Sequence, residues 1–513
     1  MRLRTRVVAS LAIVAVVLPL SACFDLFRPV EVRPTSTPTG ETVATDLEPF
    51  YSQVLVWKSC EDNMQCATAK APLDWSDPSR DSIDLALIRQ AATDGKPQGS
   101  LLVNPGGPGA SGYDLIANSV DFAVSKRLQA AFDIVGFDPR GVNHSSAISC
   151  YSDPSQFDSY LFDILPGEYG SDEWIDEYEK ANTAFGQDCL ANTGELLGFV
   201  DTVSAARDLD LLRAVLGDKK LTYLGYSYGT LLGATYADLY PQNTGRLVLD
   251  GALDPATSSF DVSLTQAKGF ESALRAFLED CKGADDCPFT GSVDSSMTQI
   301  RSLLDRLDLS PLRNADGREL GSSSMTTAII LPLYSEDTWQ YLRTVFADVM
   351  KGDPTYAFQV ADAYYSRDAD GNYADNSTEA FLAINCLDYS TNPDLTQMRA
   401  EEAQLVAAAP VLGEQLAFGG ASCVNWPFAP TRTRGPIAAH GSADILVVGT
   451  TNDPATPYVW AQNLAGELEN GHLVTNHGEG HTGYNKGSTC VDDTVDEYFT
   501  KGTVPAADPD CQG

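Results

Sequence analysis

The chain has 513 residues, 43% of them hydrophobic and 20% charged, the balance of a globular protein with more than one simple core. Its formal net charge of −36 argues against nucleic acid, whose phosphates need Lys and Arg, and against adsorption on anionic lipid. It suits a soluble protein that stays dispersed.

In chain order, residues 1–22 read as an export signal. Arg2, Arg4 and Arg6 precede an apolar run from Val7 to Leu20, shorter than the ~20 residues that span a bilayer. The small residues of "LSAC" before Cys23 are similar to a bacterial lipobox. That implies cleavage before Cys23, a lipid on its sulfur and attachment to the outer face of a cell membrane; the alternative is an ordinary signal peptide with Cys23 incidental. Cleavage removes three arginines and no acid, so the mature chain is more acidic still. Residues 23–45, with "RPTSTPTGETVAT", read as a flexible tether. Of 11 cysteines, ten remain beyond Cys23, as export to an oxidising compartment allows. Neighbour pairing is expected, since each pair closes a local loop: Cys60–Cys66, Cys150–Cys189, Cys281–Cys287, Cys386–Cys423 and Cys490–Cys511.

The globular region opens near Phe50. A strand is predicted over 82–90, strands running into glycines or a turn over 99–109 and 132–141, further strands at "LTYLGYS" (221–227) and over 245–255, and helices over 203–217 and 228–240. Strands alternating with helices predict a mainly parallel sheet covered on both faces. Residues 256–435 break the alternation and read as mostly helical. The sheet pattern resumes at "ADILVVGTTNDPATP" (443–457) and "GHLVTNHGEGHTGY" (471–484). The expected organisation is therefore a discontinuous α/β domain, 46–255 and 436–513, interrupted by a helical cap, 256–435.

"GYSYG" places Ser227 between Gly225 and Gly229, after an apolar strand and before a helix. This is the G-x-S-x-G nucleophile elbow, whose flanking glycines keep the helix and strand from colliding. Serine needs a base, and the chain has five histidines. His472 begins a strand. His481 and His477 lie beyond it, and His481, in a glycine loop before the last helix, is the expected base. Gly478 and Gly480 oppose the helix that a His477/His481 metal pair needs. Asp453, just past the preceding strand, is the expected acid that fixes the histidine tautomer; Asp250 is the alternative and Asp444 lies at the wrong edge. The oxyanion hole is assigned to the amides of Tyr228 and of Gly107 in "NPGGPG", with Gly106 second. That loop lacks the G-K-[ST] of a phosphate loop. No metal and no cofactor is expected.

Together "NPGGPG", "DPRG", "GYSYG", "DGALDP", "TNDPATP" and "GEGHTGY" resemble, in order, the secreted tripeptidyl aminopeptidases of actinobacteria, which are α/β-hydrolases of the prolyl aminopeptidase superfamily. The likeness covers most of residues 50–513. Pro105 stands where prolyl aminopeptidases carry histidine, and "GVNHSS" departs from G-x-G-x-S, leaving the role of His144 open. The resemblance implies an α/β-hydrolase fold with a large helical cap. It also implies a serine exopeptidase that releases short peptides, tripeptides on the family pattern, from peptide or protein substrates with free N-termini. An exopeptidase must hold the α-ammonium, for which the cap carboxylates Glu379 and Asp388 are candidates. Tyr334, Trp339 and Trp426 are candidates to line the pocket, with core packing as the default, and Thr456 to support the His geometry. An esterase or acyltransferase acting on cell-envelope esters is the alternative function, because the same triad cleaves esters.

Overall fold

The computed structural model describes residues 34–61 and 64–512; the signal segment and Cys23 lie outside the described residues. Among these, ten strands form one sheet: β1 (Lys58–Cys60), β2 (Met64–Pro72), β3 (Ser82–Gln90), β4 (Ser100–Asn104), β5 (Asp133–Phe137), β6 (Leu221–Tyr226), β7 (Thr244–Asp250), β10 (Ile445–Asn452), β11 (Gly471–Glu479) and β12 (Asp510–Gln512). The pair β8 (Leu312–Arg313) and β9 (Glu319–Leu320) is a small hairpin in the cap. The order across the sheet is β1-β2-β3-β5-β4-β6-β7-β10-β11-β12. From β5 to β12 every neighbouring pair is parallel, while β1 to β3 are antiparallel and join through β5.

The central strands are buried on both faces, as parallel strands under helices must be. Tyr223, Leu247, Leu249 and Val447 enter one core, beneath the helices Thr202–Leu216 and Tyr228–Leu239. Leu224, Val248, Val448 and Val474 enter the opposite core, beneath Gly112–Ala123 and Thr489–Lys501. Because β4, β6, β7, β10 and β11 run parallel, their C-terminal ends open on one edge, where ligands bind in such sheets. This is the α/β-hydrolase fold.

The cap has its own apolar core, built on the helices Ser259–Cys281, Val293–Leu309, Ser322–Ile330, Trp339–Val349 and Thr355–Tyr364. Two expectations are corrected. Phe162 enters that core, and Ile175 packs with Ala267, Met398 and Leu405. Phe157, Phe185 and Cys189 of the same two helices, Pro154–Phe162 and Asp172–Thr193, pack in the core of the sheet domain, so these helices join both cores although they precede the expected cap boundary at 256. The described part of the expected tether is docked rather than free. Trp57 N–H donates to Pro34 O at 2.8 Å, Thr39 N–H to Ala214 O at 2.9 Å, and Arg213 to Glu41 at 2.7 Å. All five neighbour disulfides form, which fits folding in an oxidising compartment. Among the described residues no helix is long and apolar enough to cross a membrane.

Candidate active site

β6 ends at Tyr226 and the helix Tyr228–Leu239 begins two residues later, with Ser227 alone at the corner. Its backbone, φ 54° and ψ −122°, is one that side-chain-bearing residues adopt only when their surroundings enforce it. The flanking glycines allow the close crossing. A Cβ on Gly225 would stand 2.4 Å from Gly229 O, and one on Gly229 2.8 Å from Asn104 Oδ1.

Asp453 follows β10 and is buried. Its carboxylate lies 2.9 and 3.0 Å from His481 Nδ1. It also accepts from the amides of Ala455, Thr456 and Thr482 and from Thr456 Oγ1 at 2.9 Å. Thr456 Oγ1 is in turn 3.2 Å from His481 Nδ1, so the threonine braces acid and imidazole together. His481 N–H donates to Tyr334 O at 2.8 Å, and the Tyr334 ring packs edge-on against the imidazole with centroids 5.3 Å apart. The expected base and acid are therefore brought together, and Tyr334 reaches them.

Ser227 and His481 border two successive residues, Asp250 and Gly251. Ser227 N–H donates to Asp250 O at 2.9 Å. A Cβ on Gly251 would stand 2.9 Å from Thr456 Oγ1 and 3.2 Å from His481 Cε1. Ser227 Oγ makes no hydrogen bond among the described residues; such contacts often tighten only when substrate is bound.

Asp250, at the end of β7, accepts from the amides of Gly483 and Tyr484. It anchors the loop that carries His481, a structural role. Burial pushes its carboxyl up to about 7 despite those amides. For His481, burial works against the imidazolium. The charge and hydrogen bond of Asp453, with Asp250 beyond, outweigh it and hold the ring above the usual histidine value of 6.5. A base must be neutral to accept a proton, so kcat/KM is expected to fall as pH drops through that raised value. Asp250 raises the His481 pKa only to the extent that its own carboxyl is ionised, so removing it lowers that pKa by less than removing Asp453 would. In Asp250→Asn the acid limb should therefore move to lower pH, read from kcat/KM profiles; an unmoved limb would show that Asp250 does not act on the imidazole.

On the other side of Ser227, Gly106 N–H donates to Asn104 Oδ1 at 3.0 Å. A Cβ on Gly106 would meet Ser227 Cβ at 2.9 Å and Tyr228 N at 3.0 Å, so only glycine lets this loop close on the elbow. Neither Gly107 N–H nor Tyr228 N–H donates to another group among the described residues.

Glu379 and Asp388, expected at a substrate ammonium, are corrected. Both are buried and turned to protein donors. Glu379 Oε1 accepts from Cys150 N–H at 2.7 Å and Tyr151 N–H at 3.4 Å. Asp388 Oδ1 accepts from Thr202 N–H at 3.0 Å, and Oδ2 is bonded to Thr202 Oγ1. Trp339 is buried in the cap core and Trp426 packs against Phe185. His477, on β11, is 42% exposed at its side chain and pairs with Asp510. His144 pairs with Asp114 at 2.8 Å, and His472 with Asp444 at 2.8 Å. The bracing by Thr202 of the residue after the serine gave no local signal in the sequence.

Comparison with known proteins adds relatives over nearly the whole chain. Residues 409–511 match the family described as TAP-like protein. Serine protease Hip1 of Mycobacterium tuberculosis (strain ATCC 25618 / H37Rv) is 37% identical over 485 residues, covering 90% of this chain and 92% of that protein. Carboxylesterase B of the same strain is 36% identical over 500 residues, covering 94% and 95%. Tripeptidyl aminopeptidase of Streptomyces lividans is 29% identical over 468 residues, covering 89% and 86%.

Proposed function

We propose that this chain, which belongs to the α/β-hydrolase family of serine protease Hip1, Carboxylesterase B and tripeptidyl aminopeptidase, is a serine exopeptidase that releases short peptides from free N-termini. The observation that carries the reading is the His481–Asp453 pair at 2.9 Å, set beside the strained elbow of Ser227. His481 Nδ1–H faces Asp453, which leaves Nε2 to take the proton of Ser227 Oγ as that oxygen attacks the scissile carbonyl. The amides of Gly107 and Tyr228 receive the oxyanion. The proton passes from His481 to the leaving amine, and water, activated the same way, releases the acyl group from Ser227.

The test compares peptide anilides bearing free and acetylated N-termini with short acyl esters. Strict dependence on a free amine is expected; equal turnover of acetylated peptides would refute the exopeptidase. The likeness to Carboxylesterase B favours one second reading, an esterase on cell-envelope esters, and preferred turnover of the acyl esters would support it. Attachment by a lipid on Cys23 also belongs to this proposal. Cys23→Ala should leave the membrane fraction for the soluble one, and continued retention would contradict lipidation.

A further inference from the structure

We propose that Asp388, at the end of a helix packed into the core of the sheet domain, is a positioning residue for the oxyanion site, acting through Thr202 on Tyr228. This rests on the reading of Tyr228 N–H as an oxyanion donor.

The helix Thr202–Leu216 is capped by Asp201, which accepts from Ser204 N–H. The amide of Thr202, its first residue, would lack a partner inside the helix. Asp388 Oδ1 supplies one at 3.0 Å. Thr202 Oγ1 then bridges two groups: Asp388 Oδ2 on one side and Tyr228 Oη, at 2.5 Å, on the other. An ionised carboxylate only accepts, so the order of donation is fixed. Tyr228 O–H donates to Thr202 Oγ1, and Thr202 O–H donates to Asp388. Thr202 is 0%, Asp388 2% and Tyr228 4% exposed, so water does not compete for these bonds. Burial pushes the Asp388 carboxyl up to about 6 and Asp201 works in the same direction, while the bonds from Thr202 and the charge of Arg434 oppose them, so the group is ionised at neutral pH; Arg432 and Tyr389 also face it. Arg434 gives its own hydrogen bonds to Thr257 O and Asp254 O, and Arg432 to Thr235 Oγ1, which leaves Thr202 as the group the carboxylate holds.

The same helix reaches the loop that carries the other oxyanion donor. Asp388 is the last residue of the helix Ser377–Asp388. The first turns of that helix lie on the "NPGGPG" loop: a Cβ on Gly109 would meet Ser377 O at 2.4 Å and Phe381 N at 3.0 Å. One rigid element thus presses on the loop of Gly107 and, through Thr202, fixes the ring of Tyr228. The bond that Cys150 N–H donates to Glu379 Oε1 and the Cys386–Cys423 disulfide hold it in place. This helix sets the spacing of two amides that must meet one oxygen.

The test uses the full mature enzyme and four variants: Asp388→Asn, Thr202→Val, Thr202→Ser and Tyr228→Phe. A free-N-terminus peptide anilide gives kcat and KM. A peptide aldehyde, whose hemiacetal with Ser227 places an oxyanion in the hole, reports the donors directly. Asp388→Asn and Thr202→Val should lower kcat and aldehyde affinity in parallel by about 10–100-fold, with KM within about twofold. Thr202→Ser, which keeps the hydroxyl, should restore both, and Tyr228→Phe should fall in the same direction. Unchanged kcat in a folded Asp388→Asn, or Thr202→Ser as impaired as Thr202→Val, would overturn the proposal. If Asp388→Asn does not fold, Thr202→Val and Tyr228→Phe decide by the same criteria. Failure here leaves the exopeptidase reading standing, because that falls only with the amine dependence or with Ser227.

Discussion

Ser227→Ala is expected to lower peptide turnover by about 10⁶-fold, some 8 kcal/mol of barrier, while the fold persists. The alanine keeps the Cβ, and nothing in the fold depends on Oγ, which makes no hydrogen bond among the described residues. Ser227 N–H still donates to Asp250 O. What is lost is the acyl-enzyme route. The residue of catalysis, about 10³–10⁴-fold over water, comes from the oxyanion donors and from substrate binding. Steady-state turnover of a peptide anilide and covalent labelling by a fluorophosphonate measure the two effects. Turnover within tenfold of the parent would move the nucleophile elsewhere, and the elbow would be only a turn.

The places of the three proposed catalytic residues could be read from the sequence because they obey local rules joined by chain order. Ser227 follows an apolar strand and precedes a helix, Asp453 follows the next-to-last long strand of the sheet, and His481 occupies a glycine loop after the following one. Each sits at the C-terminal end of a parallel strand, so placing the strands placed the residues. The disulfides were legible for a similar reason: each joins cysteines that are neighbours in chain order. The cap was not. Asp388 and Thr202 are separated by 186 residues and Glu379 and Cys150 by 229, and no periodicity encodes such a meeting. Read alone, two carboxylates in a cap suit a substrate cation. Packed, they satisfy amides that would otherwise be buried without partners. The docking of residues 34–41 escaped notice similarly, since a Pro- and Thr-rich stretch can pair its backbone with β-bridge and helix-end groups without any apolar pattern.

Asp453→Asn is expected to lower kcat by about 10⁴-fold at neutral pH, near 5 kcal/mol, with KM little changed. The carboxylate is surrounded by donors: His481 Nδ1, the amides of Ala455, Thr456 and Thr482, and Thr456 Oγ1. A group that only accepts satisfies all of them. An asparagine must aim its NH₂ at some of these donors. Either the amide loops shift, or the imidazole turns to the tautomer that presents an unprotonated Nδ1, which puts the proton on Nε2. His481 then cannot accept from Ser227. Loss of the charge also removes the interaction that holds the imidazole above its usual pKa, so the activity that remains should have its acid limb at lower pH. The comparison with Asp250→Asn decides between the two candidate acids. Asp250 takes amides rather than an imidazole nitrogen, so its loss should loosen the loop and shift the pH profile with a far smaller fall in kcat. The reverse ranking would transfer the acid's role to the end of β7 and leave Asp453 as the clamp of its own turn.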